Sequence, residues 1–455
     1  MRSSLWLFAS ATSTCVYAIT LEMCPADGFY PGITASSAAV TANPVTNVSV
    51  SNRYLSTGGG SYASPLEPCL FPEKSFMARS QEPTDGGPEC TMDWQSIYMF
   101  SYQAIHELSV VGKAFTKEFF NMTDTTKLYS YYQGCSEGGR EGWSQVQRFG
   151  DEWDGAVIGA PAFRYAFHRF STCTQGSSNR LWDTLLQPCE LEKIVNETNH
   201  SLVDDNDIDV LIGESYYCAA TTGITGTVSA EGVADSDGNQ VYFSYRPSAA
   251  FDDAETEWMN ETSQSWEVTP SSLGGETVAV LLQLQNITNI PTLDGATYDT
   301  LRDWIWQFWN RYSDSLMTTL PDLTPFMSSS GKVLHYHSES DYSIPRTSSV
   351  HYYESVRSVM YPGLSYNDSV DAMNDWYRLF LVPGAGHCAP NNGVEPVTLN
   401  ATVLQGDDIG MVQQICSWPL RPLWTSNGTV MECVYDQKSI DNWQYDLNAF
   451  PLPVY

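Results

Sequence analysis

Hydrophobic and polar positions divide residues 53–164 into short runs that predict alternating strands and helices. Residues 53–56 (RYLS) form a predicted strand that leads into three glycines, and apolar residues spaced near 3.6 predict a long amphipathic helix over 93–120. The runs 127–133 (KLYSYYQ) and 155–158 (GAVI) predict two more strands, separated by a helix that ends before Gly150. A strand, a helix and a strand at this spacing are typical of a βαβ unit in a mostly parallel sheet.

The regular alternation is lost between about 165 and 325 and resumes at residue 332. There a strand (332–337, KVLHYH), a helix (348–360) and a strand (377–382, YRLFLV) are predicted. We therefore predict an α/β fold in which residues 19–164 and 326–455 form the main domain and residues 165–325 form an inserted lid domain. A strongly aromatic helix is predicted over 297–312, and its large side chains are expected to pack the lid rather than to contact a ligand: Trp304, Trp306, Phe308 and Trp309.

Composition and charge narrow the class of partner. The 455 residues include 22 Lys and Arg against 53 Asp and Glu, which gives a formal net charge of −31. Because nucleic acids and anionic membranes require a basic protein surface, neither is expected as a partner. Apolar residues make up 42% and charged residues 16% of the chain, which indicates a sizeable core and argues against disorder.

Three features predict a secreted glycoprotein. Residues 1–18 carry an early arginine, an apolar stretch and a Val-x-Ala end, which are typical of a signal peptide cleaved near Ala18 and too short to span a bilayer. Removal of Cys15 with this segment leaves ten of the eleven cysteines, a number suited to five disulfides. Nine N-x-[ST] glycosylation sequons follow, at Asn47, Asn121, Asn196, Asn199, Asn260, Asn286, Asn367, Asn400 and Asn427.

The segment Gly134-Cys135-Ser136-Glu137-Gly138 fits the G-x-S-x-G pattern, at the place where a predicted strand turns into a helix. The flanking glycines allow a tight turn that would expose the hydroxyl of Ser136, and we predict that this serine is a nucleophile. The amide of Glu137 would then lie at the helix N-terminus, where developing negative charge is stabilised. The alternative interpretation is an ordinary glycine-rich turn.

A nucleophilic serine requires a base and a carboxylate that orients the base. Asp341 follows the strand that ends at His337, and His387 follows the strand that ends at Val382, so both lie at carboxyl ends of predicted strands. The order Ser136, Asp341, His387 is that of α/β-hydrolases. Asp341 has an alternative role as a turn former before Pro345. His335 and His337 alternate on a strand as a metal pair would, but no third ligand is evident, and no metal is predicted.

Two cysteines flank the predicted nucleophile and base. Cys135 precedes Ser136 and Cys388 follows His387, so a hydrogen bond between Ser136 and His387 would bring the two sulfurs within disulfide reach. The alternative is that both cysteines pair elsewhere. Proximity in sequence suggests a second disulfide between Cys416 and Cys433.

Several stretches of the chain resemble the fungal tannase and feruloyl esterase family of secreted α/β-hydrolases, with tannases the more similar group. They are 131–150 (YYQGCSEGGREGWSQVQRFG), 159–164 (GAPAFR), 318–326 (TTLPDLTPF), 334–361 (LHYHSESDYSIPRTSSVHYYESVRSVMY) and 383–388 (PGAGHC). The resemblance implies that Ser136, Asp341 and His387 are catalytic and that Cys135 bonds to Cys388. It also implies that the loop in 52–60 (NRYLSTGGG) supplies a second oxyanion donor, the amide of Gly59 or Gly60.

The same resemblance implies the substrate and the reaction. The expected activity is hydrolysis of phenolic-acid esters through an acyl-enzyme, with galloyl esters of tannins as substrates and hydroxycinnamoyl (feruloyl) esters as the alternative. A second alternative is an inactive or phenolic-binding paralogue, motivated by the weak strand character of residues 61–90. No cofactor is expected, and calcium in the lid is the less favoured alternative: family lids commonly carry a calcium loop of Asp-Gly turns, and the segment 189–218 lacks such turns.

Overall fold

A computed structural model describes the central α/β portion of the chain and parts of its surroundings. The described residues are 52–59, 77–79, 90–92, 94–167, 233–243, 245, 249, 256–259, 265–268, 277–284, 296–382, 385–390, 416–424, 431–437, 440 and 447–450. The predicted signal peptide at 1–18, the segment 189–218 and Gly60 lie outside them.

A five-stranded sheet forms the centre of the fold. Its strands are β1 (Arg53–Thr57), β2 (Tyr129–Cys135), β3 (Gly155–Gly159), β4 (Lys332–Ser338) and β5 (Tyr377–Val382). They lie in the order β1-β2-β3-β4-β5, and every pairing is parallel. The prediction of an α/β fold with a mostly parallel sheet is therefore confirmed. Because the strands are parallel, their carboxyl ends meet at one edge, where the loops after β2, β4 and β5 converge.

The helix predicted over 93–120 consists of three consecutive segments. An α-helix, α1 (Trp94–Tyr98), is followed by a π-helical turn (Met99–Gln103) and then by α2 (Ala104–Phe119). Within the π-helical turn, the carbonyls of Phe100 and Ser101 accept hydrogen bonds from the guanidinium of Arg140. The periodicity predicted the helical extent but not this interruption, whose carbonyls bond to a residue about 40 positions away in the chain.

The helices that follow the strands connect neighbouring members of the sheet. Helix α3 (Glu137–Arg148) joins β2 to β3. Downstream of the aromatic helix α4 (Tyr298–Tyr312) come α5 (Thr324–Ser328), α6 (Thr347–Met360) and α7 (Tyr366–Asn374). Helices α6 and α7 lie between β4 and β5. The sequence analysis did not predict α5 or α7, although Ser365 caps α7 by accepting a hydrogen bond from the Asp368 amide at 3.2 Å.

Among the described residues, buried apolar side chains form two clusters. The first surrounds the sheet and includes Tyr132, Trp143, Phe326, Tyr352 and Tyr377. The second is strongly aromatic and is centred on helix α4, in agreement with the predicted packing role of that helix. Its rings contact one another closely, as in the pairs Phe308–Tyr165, Trp309–Phe167 and Trp306–Phe450.

The aromatic cluster is not confined to the segment 165–325, since Ile97, Phe100, Leu447 and Phe450 belong to it. The division of the chain into a main domain and an inserted lid domain remains a prediction.

Within the described part of the chain, no helix is long and apolar enough to cross a membrane.

Within the described residues, five further pairs of antiparallel strands lie outside this sheet. One of them, Leu420–Trp424 with Met431–Tyr435, carries the disulfide between Cys416 and Cys433 that proximity suggested. Another, Ala385–Gly386 with Ala389–Pro390, contains His387 in its turn. The remaining three pair Met77–Arg79 with Cys90–Met92, Val233–Ala234 with Gln240–Tyr242, and Thr256–Met259 with Ser265–Val268.

Candidate active site

Ser136 lies in the sharp turn between β2 and α3. Its backbone has φ 62° and ψ −123°, a left-handed conformation that side-chain-bearing residues rarely adopt. The turn requires glycine nearby, because a Cβ at Gly134 would lie 2.4 Å from the carbonyl oxygen of Gly138. The amide of Ser136 donates to Gly159 O at 3.0 Å, which attaches the turn to the end of β3. This geometry is the strand–turn–helix context that the G-x-S-x-G pattern predicted.

Asp341 lies in the loop that follows β4 and is 2% exposed. Its Oδ1 accepts hydrogen bonds from the amides of Ser343 and Ile344, each at 2.8 Å. The carboxylate therefore closes the loop in the manner of a turn former, which was the alternative interpretation of this residue. Closing the loop through Oδ1 is compatible with orienting a base, since Oδ2 faces His387.

His387 joins the other two predicted residues. Its Nδ1 lies 2.9 Å from Asp341 Oδ2, and its Nε2 lies 2.8 Å from Ser136 Oγ. Since the carboxylate can only accept, Nδ1 carries a hydrogen and a neutral ring accepts the Ser136 hydroxyl hydrogen at Nε2. The His387 side chain is 14% exposed, whereas that of Asp341 is fully buried. The structure thus places the three residues in one hydrogen-bonded row that ends near solvent.

A disulfide joins Cys135 to Cys388, with the two Cα atoms 6.1 Å apart. It connects the residue before Ser136 to the residue after His387 across a sequence separation of 253. The loop of His387 is also attached to that of Asp341, because the amide of Ser340 donates to Ala385 O at 3.0 Å. Three chain segments are therefore held together at the carboxyl edge of the sheet.

The electrostatics of Asp341 favour its ionised form. Burial by itself would raise the pKa of Asp341, but the neighbouring charge of His387 and hydrogen bonds from His337 and His387 outweigh burial and hold the pKa well below its usual range. An ionised carboxylate is the form that can stabilise a protonated imidazole at His387.

The glycine loop after β1 lies against α3. The amide of Gly138 donates to Gly59 O at 2.9 Å, and the amide of Gly59 donates to Glu141 Oε2 at 3.0 Å. This bond occupies the Gly59 N–H, so the oxyanion role predicted for Gly59 requires that the bond be exchanged. Gly60, the other candidate, lies outside the described residues. Glu137, the third predicted donor, is the first residue of α3 and directly follows Ser136.

The sequence analysis missed a charge cluster on α3, which we define as Glu137, Arg140 and Glu141. All three side chains are 0% exposed. Arg140 Nε donates to Glu137 Oε1 at 2.6 Å, and burial together with the charge of Glu137 raises the pKa of Glu141 to about 8. The signal for the ion pair was present as an acid and a base three positions apart on a helix. What the sequence could not indicate is that this face of the helix is buried.

The two histidines considered as a metal pair have other partners. All four ring nitrogens of His335 and His337 lie within hydrogen-bond distance of protein atoms, including Ser349 Oγ, Tyr377 Oη and Ile344 O. In the described ranges, no three His, Cys, Asp or Glu side chains are grouped so as to hold a metal ion. His337 Nε2 also lies 3.3 Å from Asp341 Oδ2, a contact that the sequence analysis did not anticipate.

Comparison with known proteins decides the family. The sequence matches the family described as tannase and feruloyl esterase over residues 46–238 and 225–440. It is 37% identical to a tannase of Aspergillus oryzae, over 98% of this chain and 97% of that protein. The chain belongs to the tannase and feruloyl esterase family. Its members are carboxylic ester hydrolases, and the predicted enzyme class is confirmed.

Two further relatives, one known from sequence and one from a solved structure, agree with this assignment. A probable feruloyl esterase B-1 of Neosartorya fischeri is 28% identical over 86% of this chain and 74% of that protein. The solved tannin acyl hydrolase from Aspergillus niger has a TM-score of 0.74 at 44% identity, covering 89% of this chain and 84% of that one. The α/β-hydrolase fold implied by the resemblance is therefore confirmed.

A more distant structure agrees in fold alone. Feruloyl esterase B from Aspergillus oryzae gives a TM-score of 0.55 at 22% identity, over 84% of this chain and 86% of that one.

Proposed function

We propose that this family member is a serine esterase that hydrolyses phenolic-acid esters, with galloyl esters of tannins as its preferred substrates. The observation that carries the proposal is the row formed by Ser136, His387 and Asp341, with contacts of 2.8 and 2.9 Å. Galloyl esters are placed first because the tannase relative is more similar, and over more of the chain, than the feruloyl esterase relative.

In the proposed reaction, His387 Nε2 accepts the hydroxyl proton of Ser136 as Oγ attacks the ester carbonyl. Asp341 holds the ring so that Nδ1–H faces the carboxylate, and it stabilises the imidazolium that forms. The protonated His387 then gives its proton to the departing alcohol, which leaves an acyl-enzyme. Water, activated by the same imidazole, releases the acid and restores Ser136.

The negative oxygen that forms on the substrate carbonyl requires hydrogen-bond donors. We assign the first donor to the amide of Glu137, at the N-terminus of helix α3, where the helix dipole adds favourable potential. The second donor is assigned to the glycine loop, at Gly59 or Gly60. For Gly59 to act, its N–H has to leave Glu141 Oε2 when substrate binds.

The proposal includes secretion after removal of residues 1–18. Two disulfides support an oxidising compartment, and the two sequons in the described residues, Asn121 and Asn367, are both exposed. A mature N-terminus near Ile19 and a loss of mass on deglycosylation of the secreted protein are expected. A mature chain that retains residues 1–18 would contradict this part of the proposal.

Replacement of the nucleophile tests the reaction. We expect Ser136→Ala to lower the rate of methyl gallate hydrolysis to below about one hundredth of the parent rate, because it removes the hydroxyl that lies 2.8 Å from His387 Nε2. Ser109→Ala is the matched control: this buried serine donates to Ile105 O within α2 and should leave the rate unchanged.

The same assay separates the alternatives when it is run on methyl gallate and methyl ferulate. A higher kcat/KM for gallate supports tannase activity, and a higher value for ferulate would replace it by feruloyl esterase activity. Binding of gallate esters by the parent without release of alcohol would indicate an inactive paralogue. Persistence of parent-like rates in Ser136→Ala would contradict the nucleophile assignment.

A further inference from the structure

A chain of buried hydrogen bonds extends from Asp341 in the direction away from His387. We define the histidine chain as His337, Ser349, His335 and Tyr377, all of which are 0% exposed. The links are His337 Nδ1 to Ser349 Oγ at 2.6 Å, Ser349 Oγ to His335 Nε2 at 2.9 Å, and His335 Nδ1 to Tyr377 Oη at 2.9 Å. The chain therefore connects strands β4 and β5 to helix α6.

The position of one hydrogen follows from the partners of His337 Nε2. This nitrogen lies 2.9 Å from Ile344 O and 3.3 Å from Asp341 Oδ2, and both oxygens can only accept. Nε2 must therefore carry a hydrogen, which the carbonyl and the carboxylate share. Ile344 also donates its own amide to Asp341 Oδ1, so His337 contacts both the carboxylate and the loop that orients it.

The rest of the chain is consistent with this assignment in either charge state of His337. When His337 is neutral, Nδ1 accepts from Ser349, Ser349 accepts from His335 Nε2, and His335 Nδ1 accepts from Tyr377. When His337 is protonated, each of these three links reverses its direction. Burial lowers the pKa of His335 well below its usual value, so His335 remains neutral and carries one ring hydrogen in both cases. The Nε2 hydrogen of His337 faces Asp341 throughout.

Aromatic packing leaves the chain little freedom to reorient. The ring of His335 meets Trp143 edge-on with centroids 5.5 Å apart and lies 6.0 Å from the ring of Tyr377 in a stacked arrangement. Tyr352 lies 4.9 Å from the same Trp143 ring. Well-packed interiors hold side chains in fixed rotamers, so the chain can fix the orientation of His337.

We propose that His337 is a positioning residue for Asp341: its Nε2–H, held in place by Ser349, His335 and Tyr377, keeps the carboxylate in the orientation that receives His387 Nδ1. The inference rests on the proposed function, because it assigns a role relative to the base His387. His337 does not touch the reacting atoms, since Asp341 and His387 lie between it and Ser136 Oγ. Its contribution is to the geometry of the reacting row, where small displacements have large kinetic effects.

A matched pair of amide substitutions tests the proposal. In His337→Gln the side-chain amide can reach the former Nε2 position and donate to Asp341, whereas in His337→Asn it reaches only the former Nδ1 position and Ser349. We expect His337→Gln to retain kcat for methyl gallate within about threefold of the parent and His337→Asn to lose about 10- to 100-fold, with KM changed by less than about threefold in both. A purely structural role would lower kcat in both variants alike.

Equal kcat values in the two variants, whether both high or both low, would overturn the proposal. Circular dichroism and thermal midpoints verify that both variants fold. If His337→Asn does not fold, Ser349→Ala carries the test, because it leaves Nε2 in place and removes the support of Nδ1. We then expect a loss in kcat of about three- to tenfold at unchanged KM, and an unchanged kcat would overturn the proposal. Failure of this inference can be distinguished from failure of the proposed function, because the proposed function is contradicted when Ser136→Ala remains active.

Discussion

The histidine chain and the charge cluster are both buried beside the proposed site, and they stabilise it by different forces. Every ring nitrogen of the histidine chain has a short contact to a protein atom, and burial lowers the pKa of His335 well below its usual value. The charge cluster instead buries two carboxyl groups and one guanidinium within two turns of α3. A chain of hydrogen bonds in which every ring nitrogen has a partner fixes the directions of its side chains, whereas a buried ion pair depends on retaining both partners.

The two assemblies also act on different parts of the site. The histidine chain ends on Asp341, and so it determines how the carboxylate is presented to His387. The charge cluster attaches surrounding backbone to α3: Arg140 donates to the carbonyls of Phe100 and Ser101, and Glu141 accepts from the amide of Gly59. We expect damage to the histidine chain to appear mainly in kcat and damage to the charge cluster mainly in stability.

The largest effect is expected from Arg140→Met. This change leaves Glu137 buried without its guanidinium partner and removes donors from Phe100 O and Ser101 O. We expect the free energy of unfolding to fall by about 3–5 kcal/mol, measured by denaturant titration. The double variant with Glu137→Leu should recover part of this loss, since the unpaired buried charge is then removed. Additive losses in the double variant would contradict a coupled ion pair.

A pH-dependent effect of intermediate size is expected from Glu141→Gln. Burial and the charge of Glu137 raise the pKa of Glu141 from 4.5 to about 8. The folded protein therefore retains a proton that the unfolded chain releases, so stability is fully present below pH 4.5 and is lost as the pH rises to about 8. The parent should lose up to about 1.4 kcal/mol per pH unit relative to the variant in this window.

The control for this change is Glu141→Leu, which removes the titrating group and also the acceptor of the Gly59 amide. Gln keeps that acceptor. We expect both variants to lack the pH-dependent loss, and the Leu variant alone to be less stable at every pH. Parallel stability curves for the parent and the Gln variant between pH 4.5 and 8 would argue against a protonated Glu141.

The smallest effect is expected from Tyr377→Phe, at the far end of the histidine chain. The change removes the hydroxyl 2.9 Å from His335 Nδ1 and preserves the ring that packs on Trp143 and His335. We expect a loss of about 1 kcal/mol in unfolding free energy and a kcat effect smaller than that of His337→Asn. Tyr353→Phe is a matched control, because the ring of Tyr353 packs on Tyr377 but its hydroxyl takes no part in the three hydrogen bonds of the chain. An effect of Tyr377→Phe on kcat as large as that of His337→Asn would mean that the whole chain, rather than His337, determines the activity.

The sequence by itself determined the features that depend on residues close together in the chain. Alternating apolar positions located all five strands of the sheet within about two residues of their observed ends. The glycines around Ser136 located the sharp turn, because a Cβ at position 134 or 138 would collide with backbone atoms of Gly138 or Gly59. The order of Ser136, Asp341 and His387 along the chain, and the positions of the last two after predicted strands, then allowed the three to be predicted as one site.

Only the tertiary structure decided which side chains support that row. His337, Ser349 and Tyr377 come from β4, α6 and β5, and the bond between Gly59 and Glu141 joins residues 82 positions apart. Periodicity reports which face of an element is buried, but the partner of a buried polar atom depends on how separate elements pack. For this reason His335 and His337 resembled a metal pair in sequence, and the structure places them in a hydrogen-bonded chain that ends on Asp341.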